Sequence, residues 1–208
     1  MRQRIILTAV LLAISSFIFY FESTKVALKP SNVAESEITP RTHKTKKAEQ
    51  YIFAKEISSP DGFINTKGIT IEELIGKKVI LVDFWTYSCI NCQRTTPYLN
   101  AWYKKYRNQG LEIIGLHTPE FEFEKEYDNV LKAVKKFNIE YPVVLDNDFS
   151  TWQAYKNRYW PRKYLIDIDG FIVYDHIGEG GYEETEAEIQ KSSFGTRSSF
   201  GFFSKTGS

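Results

Sequence analysis

The stretch that most constrains this chain is VILVDFWTYSCINCQRTTPYLN, residues 79–100. Its first seven residues, 79–85, form an apolar run rich in β-formers that does not alternate with polar residues. Such a run suits a strand buried on both faces, and so requires a layer of helix on each side. A C-x-x-C follows at once, and its Cys89 and Cys92 are the two cysteines of the 208-residue chain. In 93–108, Leu99, Trp102, Tyr103 and Tyr106 then recur at helical spacing, with Gly110 as a stop signal.

The remaining pattern extends this unit. Residues 62–78 carry turn glycines and read as a hairpin plus a short helical turn; 111–118 read as a second buried strand. Residues 123–139 read as a helix with Val130, Val134 and Phe137 on one stripe; 142–146 as a third strand; 150–160 as a short helix and loop. Two strands in 163–178 meet at Asp169–Gly170, a strong hairpin signal, and 182–191 form a last acidic helix. The order predicts an α/β fold, a mixed sheet with helices on both faces.

Placed between a buried strand and a helix, the cysteines sit in the helix's first turn. Residues i and i+3 share a face there, within disulfide reach. Cys89, beside unsatisfied N–H groups and the positive end of the helix dipole, is expected to favour the thiolate. Cys92, one turn in, is expected to be more buried and less acidic, which gives an attacking thiol and a resolving partner. Two other roles compete. A structural staple gains most by closing a long loop, and this ring is very short. Zinc needs two further ligands, and the histidines, His43, His117 and His176, are scattered through linker and strand ends. Exchange is therefore favoured, with no metal or cofactor expected. Asp83, a carboxylate in an apolar strand, should have a raised pKa and act as a general base; a strand-end acid with a hydrogen-bond partner is the rival reading.

The ends differ in character. Arg2 and Arg4 precede seventeen uncharged residues, 5–21, about 26 Å as a helix. They predict an uncleaved signal anchor in preference to a cleaved signal, with the rest of the chain outside the cytoplasm. Residues 22–55 read as a flexible linker with a basic patch at 41–47, and 56–191 as the folded domain. The tail 192–208, with Ser-Ser-Phe-Gly twice, reads as disordered. A formal net charge of +1 argues against nucleic acid as partner.

At these residues the chain resembles the thioredoxin superfamily: LVDFW, then C-x-x-C, with Pro97 five residues after the second cysteine. DFWTYSCINCQRT, HTPEF, NRYWPRKYLID and GEGGYEET resemble the TlpA-like group, in particular the thioredoxin-like domain of DipZ-type cytochrome c biogenesis proteins. The resemblance implies a thioredoxin-like fold over 55–190, with Cys89 as nucleophile, Cys92 as resolving thiol and a redox-active Cys89–Cys92 disulfide. It makes Asp83 the buried acid, Pro161 a cis-proline facing the disulfide, Trp160 a residue shaping partner access, Glu120 an acid near the disulfide and Trp85 a supporting aromatic. The partners it implies are thiols and disulfides of exported proteins, apocytochrome c included. DipZ-type proteins carry a multi-helix membrane domain that supplies electrons; this chain has one apolar segment, so a separate membrane donor is expected. Two further readings stand beside exchange. Thr86 and Cys89 form the T-x-x-C of a peroxidase, although Val82 stands where its proline would be, and a non-catalytic binding module is the third.

Overall fold

The structure is a computed structural model and describes residues 46–195, with side chains through Ser193. The signal-anchor reading of 5–21, most of the linker and residues 196–208 lie outside the described residues. Among those described, no helix is long and apolar enough to cross a membrane.

Seven strands form one mixed sheet among the described residues: β1 (Ile52–Phe53), β2 (Gly62–Ile64), β3 (Val79–Trp85), β4 (Leu111–His117), β5 (Val143–Leu145), β6 (Arg162–Ile166) and β7 (Phe171–Ile177). Their order is β1-β7-β6-β3-β4-β5-β2. β3 runs parallel to β4, and β4 to β5, while β6 lies antiparallel on the other side of β3. The helices are α1 (Ile71–Leu74), α2 (Ile90–Tyr106), α3 (Tyr127–Lys136), α4 (Ser150–Ala154) and α5 (Tyr182–Gly195). The central strand is the apolar run, and all seven of its residues are buried.

Alternation along β3 divides the core in two. Leu81 and Trp85 pack with Leu99 and Trp102 of α2, Val130 and Val134 of α3, and Ile189 of α5. Ile80, Val82 and Phe84 pack on the other face with Ile71 of α1 and Tyr155 beyond α4. Asp83 follows the odd-numbered register, which places it on the α2 side.

Four boundaries differ from the sequence expectation. Residues 62–78 hold no hairpin: β2 pairs antiparallel with β5, some eighty positions along the chain, and the helical turn α1 follows. A partner so distant leaves no local signature. The linker ends earlier than residue 55. A helical turn at 46–50 leads into β1, which pairs with β7. Lys47 pairs with Asp167 (2.7 Å) and Asp169 (2.5 Å), so the basic patch is not wholly a solvated tether. Gly170, at φ +93°, is required here, because a Cβ would meet the Phe53 ring at 2.7 Å. The helix expected over 123–139 is split into a 3₁₀ turn at Glu122–Glu124 and α3. α5 runs to Gly195 with Ser193 buried, so the tail reading at 192 began too early.

Candidate active site

β3 ends at Trp85, and a short turn delivers Cys89 as the N-cap of α2, extended at φ −67° and ψ 116°. Its half-buried sulfur accepts the Cys92 N–H at 3.4 Å. The Cys92 thiol and the N–H groups of Cys92 and Asn91 stabilise its thiolate; burial and the charge of Glu120 oppose them. The result lowers the Cys89 pKa to about 6. Cys92 is only 2% exposed, and burial, then its bond to Cys89 and the charge of Asp83, push it far above the ordinary thiol value. Both are present as free thiols. One sulfur is therefore favoured as thiolate near neutral pH, and the other is held as thiol.

Asp83 is 2% exposed, and its Oδ1 has no hydrogen-bond partner. Burial raises its pKa to about 7, against the opposing charge of Lys163 and with a further push from Cys89. The rival reading, an acid with a satisfied partner, does not describe Oδ1. Lys163 was not foreseen. It faces Asp83 across the β3–β6 ladder, is fully buried, and donates from Nζ to the Gly178 carbonyl at 3.2 Å. In KYLID it reads as an ordinary polar strand residue.

The Trp160–Pro161 peptide is cis. The Cys89 thiol lies 3.9 Å from the Trp160 carbonyl oxygen, so this loop adjoins the Cys89 sulfur. The Trp160 ring is held in place: its indole N–H donates to Thr118 O at 3.0 Å, and it packs on Trp152 at 4.2 Å between centroids. Trp85 belongs to the core that buries Cys92, with its ring edge-on to His117 at 5.1 Å. Gly115 makes room for it, since a Cβ there would approach Trp85 Nε1 to 2.9 Å. Glu120 is exposed, and its charge reaches Cys89.

The acid that organises this corner is Glu124, fully buried. Its Oε1 accepts from Ser88 Oγ (2.6 Å) and Ser88 N–H (3.3 Å), and its Oε2 from the N–H groups of Glu120 (2.6 Å) and Phe121 (3.0 Å). One carboxylate thus ties the turn before Cys89 to the loop carrying Glu120. Against burial, which raises it, hydrogen bonds from the Ser88 and Thr86 side chains and from the Phe121 and Glu120 N–H groups hold its pKa below the usual carboxylate value. Among the alternating acids of EFEFEKE nothing marks it out. Beside it, His117 is fully buried, and burial lowers its pKa to about 4. The hydroxyl of Thr86, the threonine of T-x-x-C, lies 3.4 Å from His117 Nε2. Among the described residues, no group of three or more His, Cys, Asp or Glu side chains is placed to hold a metal ion.

The family model described as Thioredoxin-like matches residues 76–172. The thiol-disulfide oxidoreductase ResA of Bacillus cereus is 36% identical over 125 residues, covering 60% of this chain and 69% of that protein. The chain belongs to the thioredoxin-like family. Protein DipZ of Mycobacterium bovis is 46% identical over 141 residues, 66% of this chain. The match takes in 20% of DipZ, so the chain spans about a fifth of that relative's length. A solved thiol-disulfide isomerase from Corynebacterium glutamicum shares the thioredoxin-like fold, with a TM-score of 0.63 at 19% identity, covering 70% of this chain and 98% of the isomerase.

Proposed function

We propose that this chain is a thiol–disulfide oxidoreductase working through the Cys89–Cys92 couple. The observation that carries the reading is the asymmetry of the pair: a half-buried sulfur at a helix N-cap, pKa about 6, beside a buried thiol three residues on. Cys89 as thiolate attacks a partner disulfide, forms a mixed disulfide and releases one partner thiolate. Cys92 passes its proton to Asp83 and attacks the Cys89 sulfur. The Cys89–Cys92 disulfide forms, and the second partner thiolate leaves. Run backwards, the same steps oxidise a partner dithiol.

The resemblance to DipZ-type domains and the apolar run 5–21 support a finer reading. In it the domain is tethered to the membrane and faces the extracytoplasmic space. It exchanges disulfides with cysteines of exported proteins, apocytochrome c among them, and a separate membrane protein supplies its electrons. Expressing Cys92→Ser in cells tests the reading. Cys92→Ser should accumulate mixed disulfides with exported proteins, and Cys89→Ser should accumulate none. Absence of trapped partners, with function intact in Cys89→Ser, would sink it.

A further inference from the structure

Asp146, the residue after β5, is fully buried and takes no part in the exchange steps. Its carboxylate is nonetheless engaged on both oxygens. Oδ1 accepts the Thr151 N–H at 2.9 Å and the Ser150 hydroxyl at 3.4 Å. Oδ2 accepts the Trp152 N–H at 2.9 Å and the Thr118 hydroxyl at 3.1 Å. The two amides belong to the first turn of α4, whose N-cap, Phe149, supplies no side-chain cap and stands in the left-handed region at φ +63°. A bulky residue keeps that conformation only where its surroundings over-determine it. Two of the four partners of Asp146 lead to one place. The Thr118 carbonyl accepts the Trp160 indole N–H at 3.0 Å, and the Trp152 ring packs on the Trp160 ring at 4.2 Å between centroids. Trp152 is itself set edge-on against Phe84 of β3 at 5.7 Å and Phe149 at 6.1 Å. One carboxylate therefore holds both supports of a side chain whose own carbonyl lies 3.9 Å from the Cys89 sulfur.

We propose that Asp146 is a positioning residue for partner binding: its carboxylate locks Thr118 and Trp152, and through them fixes the half-buried Trp160 ring in the surface a partner polypeptide meets beside Cys89. The proposal rests on the reading of Cys89 and Cys92 as an exchange couple. A polypeptide whose disulfide reaches the Cys89 sulfur lies against the Trp160 loop. A ring held from two sides presents one shape and loses no freedom when the partner settles; a loose ring has to be ordered, at a cost in affinity. A small aliphatic disulfide needs the sulfur and little surface around it, so it is indifferent to the ring. No sulfur is among the hydrogen-bond partners of Asp146, and its influence on exchange passes through Trp160. A plain helix cap accounts for the bonds to Thr151 and Trp152. It does not account for the bond to Thr118, which follows β4 and stands outside the helix. That bond joins the cap to the acceptor of the Trp160 indole.

The test compares two disulfides on the reduced full chain: insulin, a polypeptide substrate, and hydroxyethyl disulfide, a small one. In Asp146→Asn the half-saturating insulin concentration should rise about tenfold, with the limiting rate close to native. The rate on hydroxyethyl disulfide should stay native. The Trp160 indole N–H, assigned in a ¹⁵N spectrum by its loss in Trp160→Phe, should exchange faster with solvent in Asp146→Asn. Thr118→Val, which removes the hydroxyl and leaves the backbone acceptor, should move both readouts in the same direction. Thr118→Ser, which keeps the hydroxyl, should restore them. If circular dichroism shows that Asp146→Asn does not fold, the Thr118 pair reads the same two quantities. Native indole exchange and native half-saturation in the folded variants overturn the proposal. Equal losses on insulin and on hydroxyethyl disulfide also overturn it, because the damage then lies at the sulfur and not at the partner surface. A native protein that reduces neither disulfide overturns the exchange reading, and this inference with it.

Discussion

Cys89 owes its character to a few atoms around one sulfur. Its N-cap position aims the Cys92 and Asn91 N–H groups at it, the Cys92 thiol adds a further bond, and no acid stands in the first turn of α2. Alkylation of the reduced native protein by iodoacetamide should therefore rise with pH through a midpoint of about 6 and level off above it. Cys92 should stay unmodified until the protein unfolds. A midpoint near the ordinary thiol value, read by mass spectrometry of the two cysteine peptides, would contradict this. The placement of Cys89 and Cys92 was legible in the sequence because strand, turn and helix set it by local rules alone; Asp83 was singled out through the resemblance, with its position in an apolar strand as physical support. Pro161 came through resemblance only. Lys163 and Glu124 were hidden because their roles come from tertiary neighbours: each is a charged residue in a segment where charge is ordinary.

Among the elements, β3, α2, β4, β6 and β7 could be read in advance, because each carries its own periodicity or turn. β1 and β2 could not. Two or three residues hold no period, and their partners lie far along the chain. The price of overlooking β1 is a misplaced domain boundary. Ala54 is buried and donates its N–H to Gly170 O at 2.9 Å, Phe53 stands edge-on to Phe171 at 5.4 Å, and Lys47 reaches both aspartates of the β6–β7 turn. A chain beginning at residue 46 should match the melting temperature of one beginning at 43. A chain beginning at 56 should melt lower by roughly 6–10 °C, from about 3 kcal/mol of lost packing and pairing. Equal melting of the three in calorimetry would show that β1 adds nothing.

For the molecule as a whole, two buried groups pull stability in opposite directions with pH. His117 falls from an ordinary 6.5 to about 4, so the unfolded chain binds more protons between those values. Its contribution is complete above about pH 6.5 and is lost as pH falls towards 4, roughly 3 kcal/mol in all. Asp83 rises from 3.8 to about 7, so there the folded chain binds more protons. It stabilises the fold progressively as pH falls over the same span, by roughly 3 kcal/mol. The two nearly offset, and the native melting temperature should be almost flat from pH 6.5 down to 4. Asp83→Asn removes one arm, and its melting temperature should then drop by roughly 6–12 °C over that range. A flat profile in that variant would refute the opposition.

The Glu124 carboxylate also has a spectroscopic consequence. Two backbone amides, Glu120 and Phe121, share one of its oxygens at 2.6 and 3.0 Å, and Ser88 occupies the other. Protons in such charge-assisted bonds are deshielded and exchange slowly with solvent. In a ¹⁵N-labelled sample, the two amide resonances should stand at the downfield edge of the spectrum. They lie in the loop whose Glu120 charge reaches Cys89, which makes them a built-in indicator of whether the Cys89 sulfur is thiolate, disulfide or joined to a partner.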